Sequence, residues 1–304
     1  MQACADDAPP CPLDGLKVAG VLASAQRTET AFDGAGVAGR LVWHGWNRDH
    51  HAVRPIVLLH GGAGSWRHWV RAIPHLATRG AVWAPDLPGL GESDMPPAPY
   101  GPDAVAAIVA AGLRRILDGC DGCDLVGFSF GAIAAGHVAA RYPELVRTLT
   151  LVGAGALGVA RAPITLVPVR DKVGADRREA NRTNLLRLMI ADPARIDDET
   201  LDLQDWNASH ARVNSVSFAS STLLLDALWH VRCPIGAIWG ALDHAATPLL
   251  DSRIAAIRSV QPDAPVVVVP GAGHWVSHEA PSAFNAALDD ILRQLRAGPG
   301  RGGA

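Results

Sequence analysis

The sequence Gly-Phe-Ser-Phe-Gly at residues 127–131 directly follows Asp-Leu-Val at 124–126 and precedes a run of small residues at 132–136. Glycines on both sides of Ser129 suit a sharp turn between a strand and a helix, because the backbone there is strained and crowds the following helix. The pattern therefore predicts a buried strand, a tight turn that exposes Ser129, and a helix packed closely on a sheet. Alone, it does not separate a catalytic serine from an ordinary one.

Two later strand ends carry groups that would activate such a serine. The apolar segment 235–239 is followed by Asp243, and the valine-rich segment 265–270 is followed by His274. A histidine on a glycine-rich turn can accept the serine proton, and a carboxylate can orient the imidazole. The order serine, acid, histidine, each after a predicted strand, indicates a catalytic triad of Ser129, Asp243 and His274.

A glycine-rich loop precedes these elements. The buried segment Ile56–Leu59 runs into His-Gly-Gly-Ala-Gly at residues 60–64. Such a loop can point a backbone N–H at a substrate oxygen, and the N–H of Phe130, next to the serine, can do the same. Each signal is weak by itself, but four of them in order, each directly after a predicted strand, favour acyl-transfer chemistry.

With these features the chain resembles the α/β-hydrolase superfamily, in particular bacterial hydrolases with a helical cap. The resemblance covers about residues 39 to 296. It implies a mostly parallel twisted sheet with helices on both faces, the α/β-hydrolase fold, plus an inserted helical cap. Its closest-looking subfamily is the meta-cleavage product hydrolases. The further segments that carry the resemblance are 60–65 with Trp69, 86–93, and 273–275 with Glu279 and Pro281.

The resemblance implies a role for each residue of the triad. Ser129 would be the nucleophile, His274 the general base, and Asp243 the acid that orients it. Asp124 and Asp226 are rival acids, although neither follows a sheet strand at its carboxyl end. A serine at the turn also disfavours haloalkane dehalogenase and epoxide hydrolase chemistry, because those members of the superfamily carry an aspartate there.

The oxyanion hole and the pocket are predicted from the same loops. The resemblance places one oxyanion donor at Gly62, with Ala63 as the alternative, and the other donor is Phe130. His60 and His278 are expected to be structural. The predicted substrate pocket is largely apolar and aromatic, and its members are Ala63, Phe128, Trp206 and Trp275.

Composition excludes several other classes of function. The 304 residues carry 27 Lys and Arg against 30 Asp and Glu, a net charge of −3, which predicts neither nucleic acid nor a membrane surface as a partner. Cofactor-binding glycine motifs and metal-ligand patterns are absent, so no cofactor and no metal are expected. The arginines between Arg161 and Arg187 alternate with acids and read as a solvated face. Five cysteines form no disulfide or zinc pattern. A cytoplasmic protein acting on a small molecule is expected, with a homodimer left open.

The chain is predicted to hold one α/β core, residues 17–153 and 231–297, interrupted by a helical cap at 154–230. Residues 1–16 and 298–304 are rich in Pro or Gly and are expected to be disordered. Alternating apolar residues predict an antiparallel edge pair at 16–23 and 39–44. The parallel strands are predicted at Ile56–Leu59, 81–84, 125–128, 148–152, 235–239 and Val266–Val269.

These features predict a serine hydrolase acting through an acyl-enzyme on a small apolar ester, lactone or thioester. The alternative is a carbon–carbon bond hydrolase of meta-cleavage products, vinylogous 1,5-diketones, and a third reading is a non-catalytic receptor on the same fold. The subfamily usually has Asn before the nucleophile, where Phe128 stands, and a cap arginine beside a tryptophan, where Asp205 precedes Trp206. The arginines considered as substitutes are Arg182, Arg187 and Arg195.

Overall fold

The computed structural model describes residues 17–34, 36–48 and 53–297, and the predicted disordered segments 1–16 and 298–304 lie outside these ranges. Its centre is one eight-stranded sheet in the order β1-β2-β4-β3-β5-β6-β7-β8. The strands are β1 (Gln26–Gly34), β2 (Val37–Trp46), β3 (Ile56–Leu59), β4 (Val82–Pro85), β5 (Cys123–Phe128), β6 (Val146–Val152), β7 (Ile235–Gly240) and β8 (Val266–Val269).

Strands β3 to β8 are parallel, and β1 and β2 form an antiparallel edge that joins the sheet at β4. Along β3, Val57 and Leu59 belong to the core on one face, whereas Ile56 and Leu58 belong to the core on the other. Because both faces are covered, the parallel strands read as continuous apolar runs. The six predicted parallel strands are all present; β3 and β8 have the predicted bounds, and the ends of the other four differ by at most two residues.

Helices form a layer on each face of the sheet. Helices α3, α4, α7 and α8 contribute to one core, and α1, α2, α9 and α10 contribute to the other. The helices are α1 (Val18–Ala23), α2 (Ile73–Ala77), α3 (Pro102–Ile116), α4 (Phe130–Arg141), α5 (Gly174–Asn184), α6 (Asp198–Ser209), α7 (Leu223–Leu228), α8 (Leu250–Val260), α9 (Val276–Glu279) and α10 (Pro281–Ala297).

The predicted edge pair is half wrong. Residues 18–23 form α1, and the partner of β2 is β1, with Gln26 opposite Gly45. Val21 is fully buried, and its carbonyl accepts a hydrogen bond from the indole of Trp46. Apolar residues at 18, 21 and 22 fit one face of a helix as well as a strand. So short a segment does not distinguish helical periodicity from the alternation of a strand.

The predicted insertion lies between the neighbouring parallel strands β6 and β7. It contains α5, which continues into a π-helical turn at Leu185–Met189, then α6 and α7. Helix α7 packs against α4 in the layer beside the sheet, so the interval 154–230 contains one helix of the core. We use the word cap for residues 161–222, the part of the insertion that precedes α7.

The cysteines within the described residues, Cys120, Cys123 and Cys233, are free thiols, while Cys4 and Cys11 lie outside. Burial raises the pKa of the Cys123 thiol. None of the described helices has the length and apolar character needed to cross a membrane.

Candidate active site

Ser129 occupies the tight turn between β5 and α4. Its backbone has φ 52° and ψ −113°, a conformation that is strained for a residue with a side chain. Gly127 and Gly131 are required because neighbouring backbone atoms lie too close to them to leave room for a side chain. A Cβ on Gly127 would overlap the backbone of Gly131, and a Cβ on Gly131 would overlap the carbonyls of Leu59 and His60. The backbone at the turn therefore tolerates no residue larger than glycine at positions 127 and 131.

The three predicted catalytic side chains meet at the carboxyl edge of the sheet. The Ser129 Oγ lies 3.0 Å from His274 Nε2, and His274 Nδ1 lies 2.8 Å from Asp243 Oδ2. These contacts assign the tautomer in which Nδ1–H donates to Asp243 and Nε2 accepts the serine hydroxyl proton. Asp243 and His274 are 0% and 4% exposed. The arrangement is a hydroxyl group, an imidazole within hydrogen-bond reach of it, and a carboxylate bonded to the other ring nitrogen, which is the geometry that nucleophilic catalysis requires.

The rival acids are placed away from this edge. Asp124 lies at the start of β5, where its carboxylate accepts hydrogen bonds from Arg54, Thr148 and Arg296. Asp226, on α7, accepts a hydrogen bond from the Thr222 hydroxyl. Only Asp243, of these three carboxylates, contacts His274.

The loops after β3 and β5 both contribute residues to the cavity that contains Ser129. In the loop after β3, the N–H of Gly61 donates to His68 Nδ1, so it is engaged within the protein. Gly62 and Ala63 line the same cavity as Ser129. Phe130 is the first residue of α4, where backbone N–H groups have no acceptor inside the helix. This geometry suits the predicted donors Gly62, or its alternative Ala63, and Phe130.

A cavity of about 170 Å³ opens onto the triad. An apolar cavity of about 150 Å³ holds a benzene ring, so this one admits a small substrate group. Its walls are mainly apolar, and the predicted members Ala63 and Phe128 are among them, together with Phe130. The cap contributes Ile164, Leu166, Leu188, Met189, Val213, Asn214 and Ser215.

Trp206 was predicted to line this cavity and does not. Its ring stacks on that of His210 at a centroid distance of 3.8 Å, and the guanidinium carbon of Arg67 lies over the Trp206 ring, 3.4 Å from a ring centroid. The neighbouring Asn207 accepts a hydrogen bond from Ser65. Trp206 therefore joins the cap to the loop after β3 and takes no part in the cavity wall. Helical periodicity predicts its position along α6 but not the direction it faces.

Trp275 was also predicted to face the cavity and is instead fully buried beside it. Its indole N–H donates to the carbonyl of His68, and its ring packs against His68 and His278. Its backbone N–H donates to Met189, on the cap. Trp275 therefore packs within the layer that supports His274, and its ring does not reach the cavity.

The histidines near the site are structural, as expected for His60 and His278. The N–H of Leu87 donates to His60 Nε2, and His60 Nδ1 donates to the Gly61 carbonyl. His278 bonds Thr200 of the cap through Nε2. Burial lowers the pKa of His60 to about 4 and that of His278 to about 3, so both are neutral at pH 7.

The predicted cationic partners of a substrate lie outside the cavity, and two other arginines lie inside it. Arg182, Arg187 and Arg195 are absent from the cavity wall, and Arg187 donates to the Thr165 carbonyl. Arg161 and Arg253 line the cavity instead. Arg161 was read as part of a solvated face, which is wrong, and Arg253 was not singled out. No local pattern marks either one, because each reaches the cavity only through the three-dimensional fold.

A family model described as the alpha/beta hydrolase family matches residues 56–287, and the chain belongs to this family. The predicted fold and the prediction of an α/β-hydrolase enzyme are thereby confirmed.

Individual relatives differ in their reported activities. The chain is 34% identical over 239 residues to a pimeloyl-[acyl-carrier protein] methyl ester esterase of Chromobacterium violaceum, covering 74% of this chain and 89% of the relative. It is 31% identical over 274 residues to a dihydrolipoyllysine-residue acetyltransferase component of an acetoin cleaving system of Pseudomonas putida, covering 86% and 69%. It is 28% identical over 258 residues to a 2-hydroxy-6-oxo-6-phenylhexa-2,4-dienoate hydrolase of Comamonas testosteroni, covering 79% and 87%.

Among solved structures, an esterase from Rhodococcus sp. ECU1013 superposes with a TM-score of 0.72 at 23% identity. The match covers 90% of this chain and 99% of that one. At this identity the likeness concerns the fold.

Proposed function

We propose that the protein is a serine hydrolase that cleaves small, largely apolar carboxylic esters, lactones or thioesters through an acyl-enzyme. The observation that carries the proposal is the continuous contact from Ser129 through His274 to Asp243, at 3.0 and 2.8 Å. The apolar wall of the cavity beside Ser129 supports an uncharged, apolar portion of the substrate next to the reacting carbonyl.

The geometry supports a two-stage reaction. Ser129 Oγ attacks the carbonyl carbon while its proton passes to His274 Nε2, and Asp243 stabilises the imidazolium that forms. The N–H groups of Phe130 and of Gly62, or Ala63, stabilise the negative oxygen of the tetrahedral intermediate. His274 then protonates the leaving alcohol or thiol. In the second stage a water molecule, deprotonated by His274, attacks the acyl-enzyme and releases the acid.

The relatives include both an ester hydrolase and a carbon–carbon bond hydrolase. The esterase of C. violaceum, at 34% identity, supports ester hydrolysis as the first candidate. The dienoate hydrolase of C. testosteroni, at 28% identity, supports cleavage of a vinylogous diketone as the second. The residue before the nucleophile is Phe128, whose ring lies 5.0 Å from that of His274, and it places no polar group there for a diketone.

The test compares the wild type with Ser129→Ala on nitrophenyl acetate and butyrate. We expect kcat to fall by about 10⁴-fold or more, because only binding and the oxyanion hole would remain. Ser259→Ala, which removes a serine on the exposed side of α8, is the matched control and should leave kcat unchanged. A fluorophosphonate probe that labels a different serine, or none, would refute the assignment. Turnover of a ring-cleavage diketone but of no ester would favour the second candidate.

A further inference from the structure

The cavity beside Ser129 contains an excess of positive charge. Arg161 follows β6 at the start of the cap, Arg253 lies on α8, and both side chains line the cavity. Asp243 is the one carboxylate among the lining residues, and its oxygens are engaged by His274 and by the N–H of Ala245. Within the described residues, neither arginine has a carboxylate within 4.0 Å. The cavity therefore holds two guanidinium groups and no free anion.

Arg253 is held rigidly in this position. Only 1% of its surface is exposed, and one terminal nitrogen donates to the carbonyls of Ala160 and Ala245. Its Nε has no hydrogen-bond partner among the described residues. A buried guanidinium that bonds only two carbonyls keeps its full charge while losing hydration, which is unfavourable unless an anion compensates for it.

Arg161 lies near Arg253 and, like it, forms no ion pair with a carboxylate of the described residues. It is half-buried, its Nε also lacks a hydrogen-bond partner, and no described side chain forms an ion pair with it. Burial lowers the pKa of both arginines; the Asp243 carboxylate opposes this in each, and the charge of Arg161 adds to the lowering at Arg253. Two adjacent cations repel one another. An anionic ligand that contacts both would be attracted by each guanidinium group and would relieve this repulsion.

On the basis of the proposed hydrolase function, we propose that Arg161 and Arg253 form a carboxylate-binding subsite and that the substrate is an ester or related acyl compound carrying a second, anionic carboxylate. A carboxylate accepts two parallel hydrogen bonds from a guanidinium, which gives direction as well as affinity. The anion would fix the substrate in the cavity while its reacting carbonyl lies against Ser129. The subsite is distinct from the surface arginines of the cap, which bond backbone carbonyls or acidic side chains.

The test uses substrate pairs that differ in charge. One pair is the nitrophenyl monoester of glutaric acid and nitrophenyl pentanoate, which places the charge in the acyl part. The other pair is para-acetoxybenzoate and phenyl acetate, which places it in the leaving group. We expect kcat/KM to favour the anionic member of at least one pair by about tenfold or more, as for hydrogen bonds to a charged group.

Variants then assign the preference to residues. Arg161→Gln should lower kcat/KM for the anionic ester by about tenfold and leave the neutral ester within about twofold, whereas Arg161→Lys should retain part of the preference. If the Arg253→Gln variant folds, we expect the same selective loss of kcat/KM for the anionic ester. If it does not fold, the Arg161 variants still test the subsite. Arg187→Gln, a cap arginine outside the cavity, is the matched control. No charge preference in the wild type, or equal losses on both members of a pair, would overturn the subsite.

A binding measurement separates this inference from the proposed function. Glutarate and its diamide are titrated calorimetrically against Ser129→Ala and against Ser129→Ala with Arg161→Gln. Glutarate binding that is lost on removing Arg161 supports the subsite even if no ester is hydrolysed. Hydrolysis of neutral esters with no glutarate binding would leave the serine hydrolase intact and refute the subsite.

Discussion

Asp243 has a partner for each carboxylate oxygen: Oδ2 accepts from His274 and Oδ1 from the N–H of Ala245. Asp243→Asn keeps the size of the side chain but offers an amide to the imidazole, which favours the wrong tautomer of His274. We expect kcat for nitrophenyl esters to fall by about 10⁴-fold, with the far-UV circular dichroism spectrum unchanged.

The control for this prediction is Asp226→Asn, which alters an exposed carboxylate on α7 that bonds Thr222. It should retain wild-type kcat. An Asp243→Asn enzyme with near-normal kcat would show that another carboxylate orients the base, and a large loss in Asp226→Asn would point to that residue.

At the residue scale, the sequence predicted the groups whose position depends on a strand end. Ser129, Asp243 and His274 each follow a strand of one parallel sheet, and the carboxyl ends of such strands meet at one edge. The sequence did not predict which side chains of the cap and of α8 face the cavity. Trp206 and Arg253 lie on helices, where a rotation of about 100° per residue decides the contact and only tertiary packing fixes that rotation.

At the scale of elements, the cap is tied to the core by polar contacts on both sides of the cavity. Glu279 accepts hydrogen bonds from the N–H groups of Ala191 and Asp192 on the cap and of Gly273 beside His274. On the other side, Arg67 of the core lies over the ring of Trp206 on α6. The same contacts that hold the cap therefore also hold the loop that carries the base.

Trp206→Ala tests the docking of α6. Loss of the cation–π contact with Arg67 should destabilise the closed cap by about 1–2 kcal/mol, because Arg67 is largely buried. We expect faster amide hydrogen exchange in α6 and a KM raised several-fold, with a smaller change in kcat because the triad is untouched. Hydrogen exchange by mass spectrometry and steady-state kinetics measure the two effects.

Trp229→Ala is the matched control, since Trp229 follows α7 and is 58% exposed. It should alter neither hydrogen exchange in α6 nor KM. Unchanged exchange in Trp206→Ala would show that the remaining contacts of the cap, such as Ser65 with Asn207, hold α6 without the tryptophan.

Element types and order were predictable because apolar periodicity and turn residues are local. Strand β5 and helix α4 follow from an apolar run, a glycine-bracketed turn and small residues. The segment 18–23 was assigned wrongly because six residues hold less than two helical turns, too few to separate the helical period from alternation. Helix α7 was assigned to the cap because no strand pattern separates it from the rest of the insertion. Its packing on α4, which places it in the core layer, is a non-local contact that the sequence does not reveal.

At the scale of the whole molecule, buried histidines make stability depend on pH. Burial lowers the pKa of His44 and His60 to about 4 and that of His278 to about 3, and it also lowers the pKa of His68 well below its ordinary value. The unfolded chain binds protons at these groups below about pH 6.5, and the folded protein does not. Their contribution to stability is therefore present above pH 6.5 and is lost as the pH falls toward 4.

One carboxyl group opposes this trend. Burial raises the pKa of Asp86 to about 6, so its contribution favours the folded state at low pH and is lost as the pH rises through 6. Four histidines outweigh one carboxyl group. We expect the free energy of unfolding, measured with urea, to fall by on the order of 4 kcal/mol per pH unit near pH 5. A free energy that is flat between pH 7.5 and pH 5 would contradict these assignments.

His44→Phe assigns part of this pH dependence to one residue. Neither ring nitrogen of His44 has a hydrogen-bond partner within the described part of the chain, and the ring lies 5.3 Å from that of Trp66. Phenylalanine keeps this aromatic packing and cannot bind a proton. Relative to wild type, we expect His44→Phe to be nearly neutral at pH 7.5 and more stable at pH 5, by about 2 kcal/mol. The exposed His230→Phe should leave the pH dependence unchanged. Equal effects of His44→Phe at both pH values would mean that packing, or the Glu92 carboxylate 3.7 Å from Nε2, dominates over the cost of protonating a buried ring.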